Sequence, residues 1–355
     1  MMKAAISTHQ SDFLNIGSRR YLGNKSRLIS FIEEVFGSEN IQFDSFIDLF
    51  AGTGVVAQKF NNLNNRIITN DILYSNYLAH YAWLSSEEFD PQKTIELIDE
   101  FNVRACFKAN YFSNHYSDTY FNHKNSLRIG GIRDEIALLA RLGKINFKEQ
   151  SILLSSLLYA ADKIAKTCGH YDAFRKGEDE QKGLELKMPR IDQSLNERNE
   201  IFNLDANSLV KTIKADLVYI DPPYNSRQYI DSYHLLENLA IWDKPEVSGV
   251  AKKMVNRKDK KSDYCTTKAP AAFLDLIMNL EAEFIAVSYN NMAEKGNARS
   301  QAKLSDEDIA KILKKKGSLK VFESDHKYFS AGKSIIEDHK ERLFICKVDK
   351  KSFVD

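Results

Sequence analysis

Leu217-Val218-Tyr219-Ile220-Asp221-Pro222-Pro223-Tyr224 joins four apolar residues to an acid, two prolines and an aromatic. The apolar run is short and unbroken, as a strand buried on both faces requires. The acid, prolines and aromatic therefore form a loop at the carboxyl end of a strand, where open α/β sheets place their ligands. The prolines carry no backbone donor and stiffen the turn, which leaves carbonyls free to accept hydrogen bonds. A carboxylate, a free carbonyl and an aromatic plate suit the gripping of a flat base by its exocyclic amino group.

Working outward, Ser45-Phe46-Ile47-Asp48-Leu49-Phe50 reads as a strand that runs into Ala51-Gly52-Thr53-Gly54, and residues 55–60 begin a helix. Glycines are needed where backbone passes close to a ligand. Arg66-Ile67-Ile68-Thr69 is the next strand and ends at Asn70-Asp71. Asp71 follows Asp48 by 23 residues, near the ~20-residue step at which an acid on the second strand reaches ribose hydroxyls. From about 85 to 200 the periodicity is helical, notably at 136–140 and 152–164, with polar, aromatic stretches at 111–133 and 168–190. The core resumes with Ile201-Phe202-Asn203-Leu204-Asp205, a strand ending in an acid, and with Phe284-Ile285-Ala286-Val287-Ser288-Tyr289. Ser305-Asp306-Glu307-Asp308 opens a helix with a capping box. Lys320-Val321-Phe322 and Leu343-Phe344-Ile345-Cys346 read as a closing hairpin with a long connection. The expected fold is α/β, a doubly wound Rossmann-like sheet with a closing antiparallel hairpin. Residues 1–84 and 201–355 form it, and a mainly helical region at 85–200 is inserted.

The 355 residues include 50 basic and 49 acidic ones, a net charge of +1. A nucleic-acid surface must then come from local clustering. Cys106, Cys168, Cys265 and Cys346 are scattered and none has C-x-x-C spacing, so no metal site or redox pair is expected, and a reducing cytoplasm is the simple reading. No apolar run reaches the length of a membrane span, and residues 1–10 lack a signal-peptide core.

Four motifs in a fixed order give the chain a resemblance to adenine-specific DNA methyltransferases of the DNA adenine methylase type, many of them restriction-modification enzymes. Arg20-Tyr21-Leu22-Gly23-Asn24-Lys25 resembles the first motif, Asp48-Leu49-Phe50-Ala51-Gly52-Thr53-Gly54 the S-adenosylmethionine loop, Asn70-Asp71 the ribose acid and Asp221-Pro222-Pro223-Tyr224 the catalytic tetrapeptide. The resemblance implies that Tyr21 and Lys25 line the methionine end of the cofactor, with Lys25 on its carboxylate. It implies backbone contacts from Phe50, Ala51, Gly52 and Gly54, ribose contacts from Asp71, and a place for Asp205 near the cofactor's adenine. Asp48 opens the cofactor loop. Gly23-Asn24 stands where a double glycine is common, and Asn tolerates left-handed backbone better than most residues. In such enzymes a target-recognition region lies between the ribose acid and the catalytic strand, where residues 85–200 fall. Double-stranded DNA is the implied partner, and a cognate endonuclease a functional one.

The chemistry is dictated by the acceptor. Adenine's amino nitrogen delocalises its lone pair into the ring, and two acceptors on its hydrogens localise that pair. Asp221 and the Pro222 carbonyl are the candidates, with Pro223 stiffening the turn and Tyr224 stacking on the base. A paired base hides its amino group, so the target flips out. No proline precedes a cysteine, which sets aside cytosine carbon-5 chemistry, and the loop lacks the third glycine of a dinucleotide fingerprint. Residues 166–176, with His170, Tyr171, Arg175 and Lys176, read as a loop entering DNA or as a solvated connection. Residues 251–268, with Lys252, Lys253 and Arg257, read as phosphate contacts or as a flexible loop; Arg227 joins the nucleic-acid candidates. Tyr229, Tyr233 and His234 brace the flipped base or pack a helix. Lys314-Lys315-Lys316 reads as a surface cluster at a helix end. Two rival functions stand beside the first: adenine methylation of structured RNA, and DNA binding without catalysis.

Overall fold

The structure is a computed structural model that describes residues 13–104, 106–177, 182–223, 226–290, 303–324 and 341–349. The chain enters through α1 (Ile29–Ser38), then builds β1 (Ser45–Asp48), α2 (Val55–Phe60), β2 (Arg66–Asn70) and α3 (Tyr74–Leu84). A helical stretch comes next: α4 (Pro91–Val103), α5 (Tyr111–Tyr116), α6 (His123–Arg141) and α7 (Phe147–Ile164). The core resumes with β3 (Glu200–Phe202), α8 (Ala206–Leu209), β4 (Lys214–Ile220), α9 (Tyr229–Ser232) and α10 (His234–Ile241). A small hairpin, β5 (Val247–Ser248) and β6 (Lys253–Met254), precedes α11 (Ala269–Asn279), β7 (Glu281–Asn290), α12 (Asp306–Leu313), β8 (Gly317–Ser324) and β9 (Glu341–Val348).

Among the described residues the main sheet has seven strands in the order β3-β2-β1-β4-β7-β9-β8. The first five are parallel, and β9 and β8 close the sheet antiparallel. The expected closing hairpin is thus present. The order reverses between β1 and β4, and a crevice opens at the carboxyl ends of the strands at such a point.

Strand side chains alternate between two apolar clusters, as the period of two demands. Phe46, Ile67, Leu217, Tyr219 and Phe284 face α1, α2, α3, α7 and α10. Ile47, Ile68, Val218, Ile220 and Ile285 face α8, α11 and α12. The first cluster runs without a break from the sheet into α4–α7, and α7 packs on α3. The helical stretch therefore shares its core with the sheet. Residues 152–161 of α7 are all buried, as their all-round apolar pattern requires.

Some expectations need correction. The strand expected over 201–205 is only Glu200–Phe202, and Asp205 caps α8 by accepting from the Ser208 amide. Lys316 is buried rather than a surface lysine, and its ammonium donates to the Met278 carbonyl at 3.1 Å. The left-handed backbone in the first motif belongs to Gly23 alone (φ 78°). Asn24 (φ −55°) instead caps the turn of Lys25–Arg27, accepting from the Ser26 amide. The capping box at Ser305 and Asp308 forms as expected.

Leu157 is fully buried in the shared cluster. Leu157→Ala is expected to destabilise the chain by about 2–5 kcal/mol, in one denaturation transition seen alike by sheet and helix probes. Two separate transitions would show that the cores are independent.

Candidate active site

A cleft of about 550 Å³ opens at the crossover between β1 and β4. Parallel pairing sets Asp48 beside Tyr219, and the Leu49 amide donates to the Tyr219 carbonyl at 3.1 Å. The Ala51 amide donates to the Asn70 carbonyl, and the Asn70 side chain donates to the carbonyls of Leu49 and Leu204. Three strand-end loops are thereby stitched into one rim. Tyr21, Lys25, Asp48, Phe50, Ala51, Gly52, Asp71, Asp205, Asp221 and Pro223 all line the cleft, so motifs from both ends of the chain's numbering meet there. Gly54, in left-handed conformation, precedes α2 and is not among the lining residues, and Pro222 is buried. Tyr224 lies outside the described residues.

Burial raises the affinity of the three inner acids for protons. Asp48, 1% exposed, accepts from the Ala57 amide at 3.2 Å and is pushed up to about 8. Asp71 accepts from the amides of Leu73 (2.8 Å) and Gly52 (2.9 Å), and burial still lifts it to about 6. Asp221 is likewise raised to about 6 by burial, which the Lys25 ammonium opposes and Glu341 reinforces. Desolvation wins in each case because few charges reach the pocket floor. His80, also buried, is lowered to about 4 and so stays neutral. Its Nε2 lies 3.0 Å from the Gly52 carbonyl, which assigns the ring proton to that nitrogen.

Lys25 is 3% exposed, and its ammonium stands 3.1 Å from Asp221 Oδ1 and 3.6 Å from Glu341 Oε2. The family resemblance implies a cofactor carboxylate as a partner for this lysine. Within the chain it meets two carboxylates, as a buried ammonium needs compensation within its own shell. Tyr21 stacks on Tyr233 at 4.6 Å between ring centroids and accepts from the Asn76 amide at 3.0 Å. Tyr229 also lines the cleft and donates to the Leu22 carbonyl, whereas Tyr233 and His234 are fully buried. The latter two pack the helices that come after the tetrapeptide.

The nucleic-acid candidates divide. Arg175, Lys176 and Arg227 are exposed, and Lys252 is partly exposed. Tyr171 is corrected: it is fully buried, its hydroxyl donates to Asp162 at 2.9 Å and its amide to the Ser232 carbonyl. A tyrosine whose hydroxyl and backbone amide are both satisfied in the interior braces its loop and offers nothing to an external partner. His170 lies 3.7 Å from Asp172. Lys253 pairs with Asp172 at 2.6 Å, and Arg257 pairs with Asp231. These pairs tie the loop at 166–177 and the β5–β6 hairpin to α9, directly after the tetrapeptide.

Several residues of the cleft escaped sequence reading. Asp259–Tyr264 fold over its far end, where Lys260 donates to the Ile72 carbonyl at 2.9 Å. Tyr264 meets Phe50 edge to face at 5.1 Å and donates to Asn207. The basic run at 251–268 gave no sign of this, because its charge pattern also fits a solvated loop. Glu341 escaped because it stands at the start of its strand and belongs to no local motif. No group of acids, histidines and cysteines able to hold a metal occurs among the described residues, and none of their helices is long and apolar enough to cross a membrane.

Comparison with known proteins gives the chain its family. The chain is 35% identical over 83% of its length to Modification methylase StsI of Streptococcus sanguinis, of which it covers 46%. It is 32% identical over 93% of its length to Type II methyltransferase M.FokI of Planomicrobium okeanokoites, covering 53% of that protein. The chain thus spans about half the length of these relatives. Type II methyltransferase M.NlaIII of Neisseria lactamica matches more fully, at 28% identity over 90% of this chain and 95% of that one. Residues 21–295 match the family model from the first motif past the catalytic strand, so the chain belongs to the D12 class N6 adenine-specific DNA methyltransferase family.

Proposed function

We propose that the chain transfers a methyl group from S-adenosylmethionine to the N6 amino group of adenine at a specific site in duplex DNA. The observation that carries this reading is the meeting of Asp221, Lys25, Asp48, Asp71 and the Gly52 turn in one cleft at the carboxyl edge of a parallel sheet. The family match and the relatives named as modification methylases support it.

The cleft suits the cofactor. A Cβ at Gly52 would stand 3.1 Å from the Tyr21 ring, so glycine at this left-handed turn lets that ring lie close against the loop. The Asp71 carboxylate accepts two backbone amides and retains lone pairs for hydroxyls. Phe50 and Tyr264 offer an aromatic corner for a purine, with Asp205 beside it. Bound there, the cofactor supplies an electrophilic methyl group on a sulfonium.

The chain's own residues then act on the acceptor. Asp221 and the Pro222 carbonyl accept the two amino hydrogens of an extruded adenine and keep its nitrogen lone pair out of the ring. Tyr224 stacks on the base. The nitrogen becomes acidic once methylated, so a weak base such as Asp221 suffices to take its surplus proton. Catalysis is positioning and electrostatics. The exposed Arg175, Lys176 and Arg227 contact phosphates, and the helical stretch at 85–200 carries the surface that selects the target sequence. The setting is the cytoplasm, with a cognate endonuclease as functional counterpart.

Incubating the chain with methyl-labelled cofactor and duplex DNA, then mapping modified adenines, tests the proposal. Label on ribosomal RNA alone would overturn it, as would DNA binding without transfer. Asp221→Ala is expected to lower kcat by at least about 10²-fold while cofactor affinity, read by calorimetry, stays near normal. Asp71→Ala should do the opposite first, weakening cofactor binding roughly 10–100-fold for two lost hydrogen bonds. A near-normal turnover number for the first variant would remove Asp221 from the chemistry. Because Asp221 is raised to about 6 and accepts only when ionised, kcat should fall as pH drops through about 6. A flat profile from about pH 8 down to about pH 5 would contradict that role.

A further inference from the structure

We infer that Glu341 is a positioning residue for methyl transfer, holding Lys25 so that Asp221 remains a strong acceptor. The inference rests on the reading of Asp221 as the acceptor carboxylate.

Strand direction explains the placement. β9 runs antiparallel to β7, so its first residue comes to the edge at which the parallel strands end. Glu341 pairs with Asn290 of β7 on one side and with Ser324 of β8 on the other. It is 4% exposed and its Oε2 stands 3.6 Å from the Lys25 ammonium, which stands 3.1 Å from Asp221. One cation therefore serves two carboxylates in a dry pocket. Among the described residues, the other titratable groups that face Asp221 are Asp48 on β1 and Tyr219 on β4.

An ammonium held by one carboxylate alone would lend that carboxylate its whole charge and weaken it as an acceptor. A second carboxylate on the far side draws the ammonium back. Glu341 supplies that pull from a strand held by backbone hydrogen bonds on both sides, which is a more rigid mount than a loop. It also fixes where the ammonium sits, and through it the rotamer of Asp221.

Glu341→Gln tests this, since the amide keeps the shape and an acceptor for Lys25 but removes the charge. The expected result is a roughly tenfold lower kcat at its pH plateau, an acid limb of the kcat profile displaced to lower pH, and unchanged cofactor affinity. Glu341→Asp should return the limb towards its wild-type position. Carbon-13 titration of the Asp221 carboxyl, assigned with Asp221→Asn and measured without cofactor, should show the same downward displacement. A Gln variant whose limb and carboxyl titration match the wild type overturns the inference, including the case in which only thermal stability falls. Full turnover in Asp221→Asn would instead strike the reading of Asp221 itself, and the carboxyl titration would still report on Glu341.

Discussion

Parallel pairing of β1 with β4, with Asp48 opposite Tyr219, is the constraint on which everything else in the structure depends. Parallel strands end on the same side, so their exit loops are neighbours in space however distant in sequence. The reversal of strand order at this pair leaves a gap between loops that diverge to opposite flanks. The glycine turn, Asp71 after β2 and Asp221 after β4 all open into that gap. The amides and carbonyls of Leu49, Ala51, Asn70 and Leu204 then lock the rim.

The electrostatics of the cleft arise from its depth. Three acids in a water-poor floor compete for few donors, and each gains proton affinity by burial. The buried ammonium of Lys25 stands against this negative character on the side of Asp221. Removing water strengthens every such interaction and raises the cost of any left uncompensated. The ion pairs of Asp172, Lys253, Asp231 and Arg257 lie in wetter surroundings and set the geometry of loops more than they stabilise the fold.

The helical stretch is bound into the same machinery. Asp162 of α7 accepts from the Arg20 amide and from the Tyr171 hydroxyl, so it joins the first motif to the loop at 166–177. Glu237 of α10 accepts from the amides of Tyr74 and Ser75 and caps α3, a helix whose own preceding residue provides no side-chain cap. Movement of the helical stretch would therefore be felt at Tyr21 and at α9, on either side of the tetrapeptide.

Much of this was determined by the sequence itself. Apolar runs bounded by glycine, proline or acid mark strands and their ends, because burial and backbone geometry act within a few residues. The glycine turn, Asp71 and Asp221 were legible for that reason, as were α7 and the closing hairpin. The tertiary structure alone decided the partners of charged and aromatic side chains. Lys25 met Asp221 and Glu341, Tyr171 turned inward, and residues 259–264 folded over the cleft. Such outcomes depend on which distant segments share a dry volume, and a one-dimensional pattern of charge holds no record of that volume.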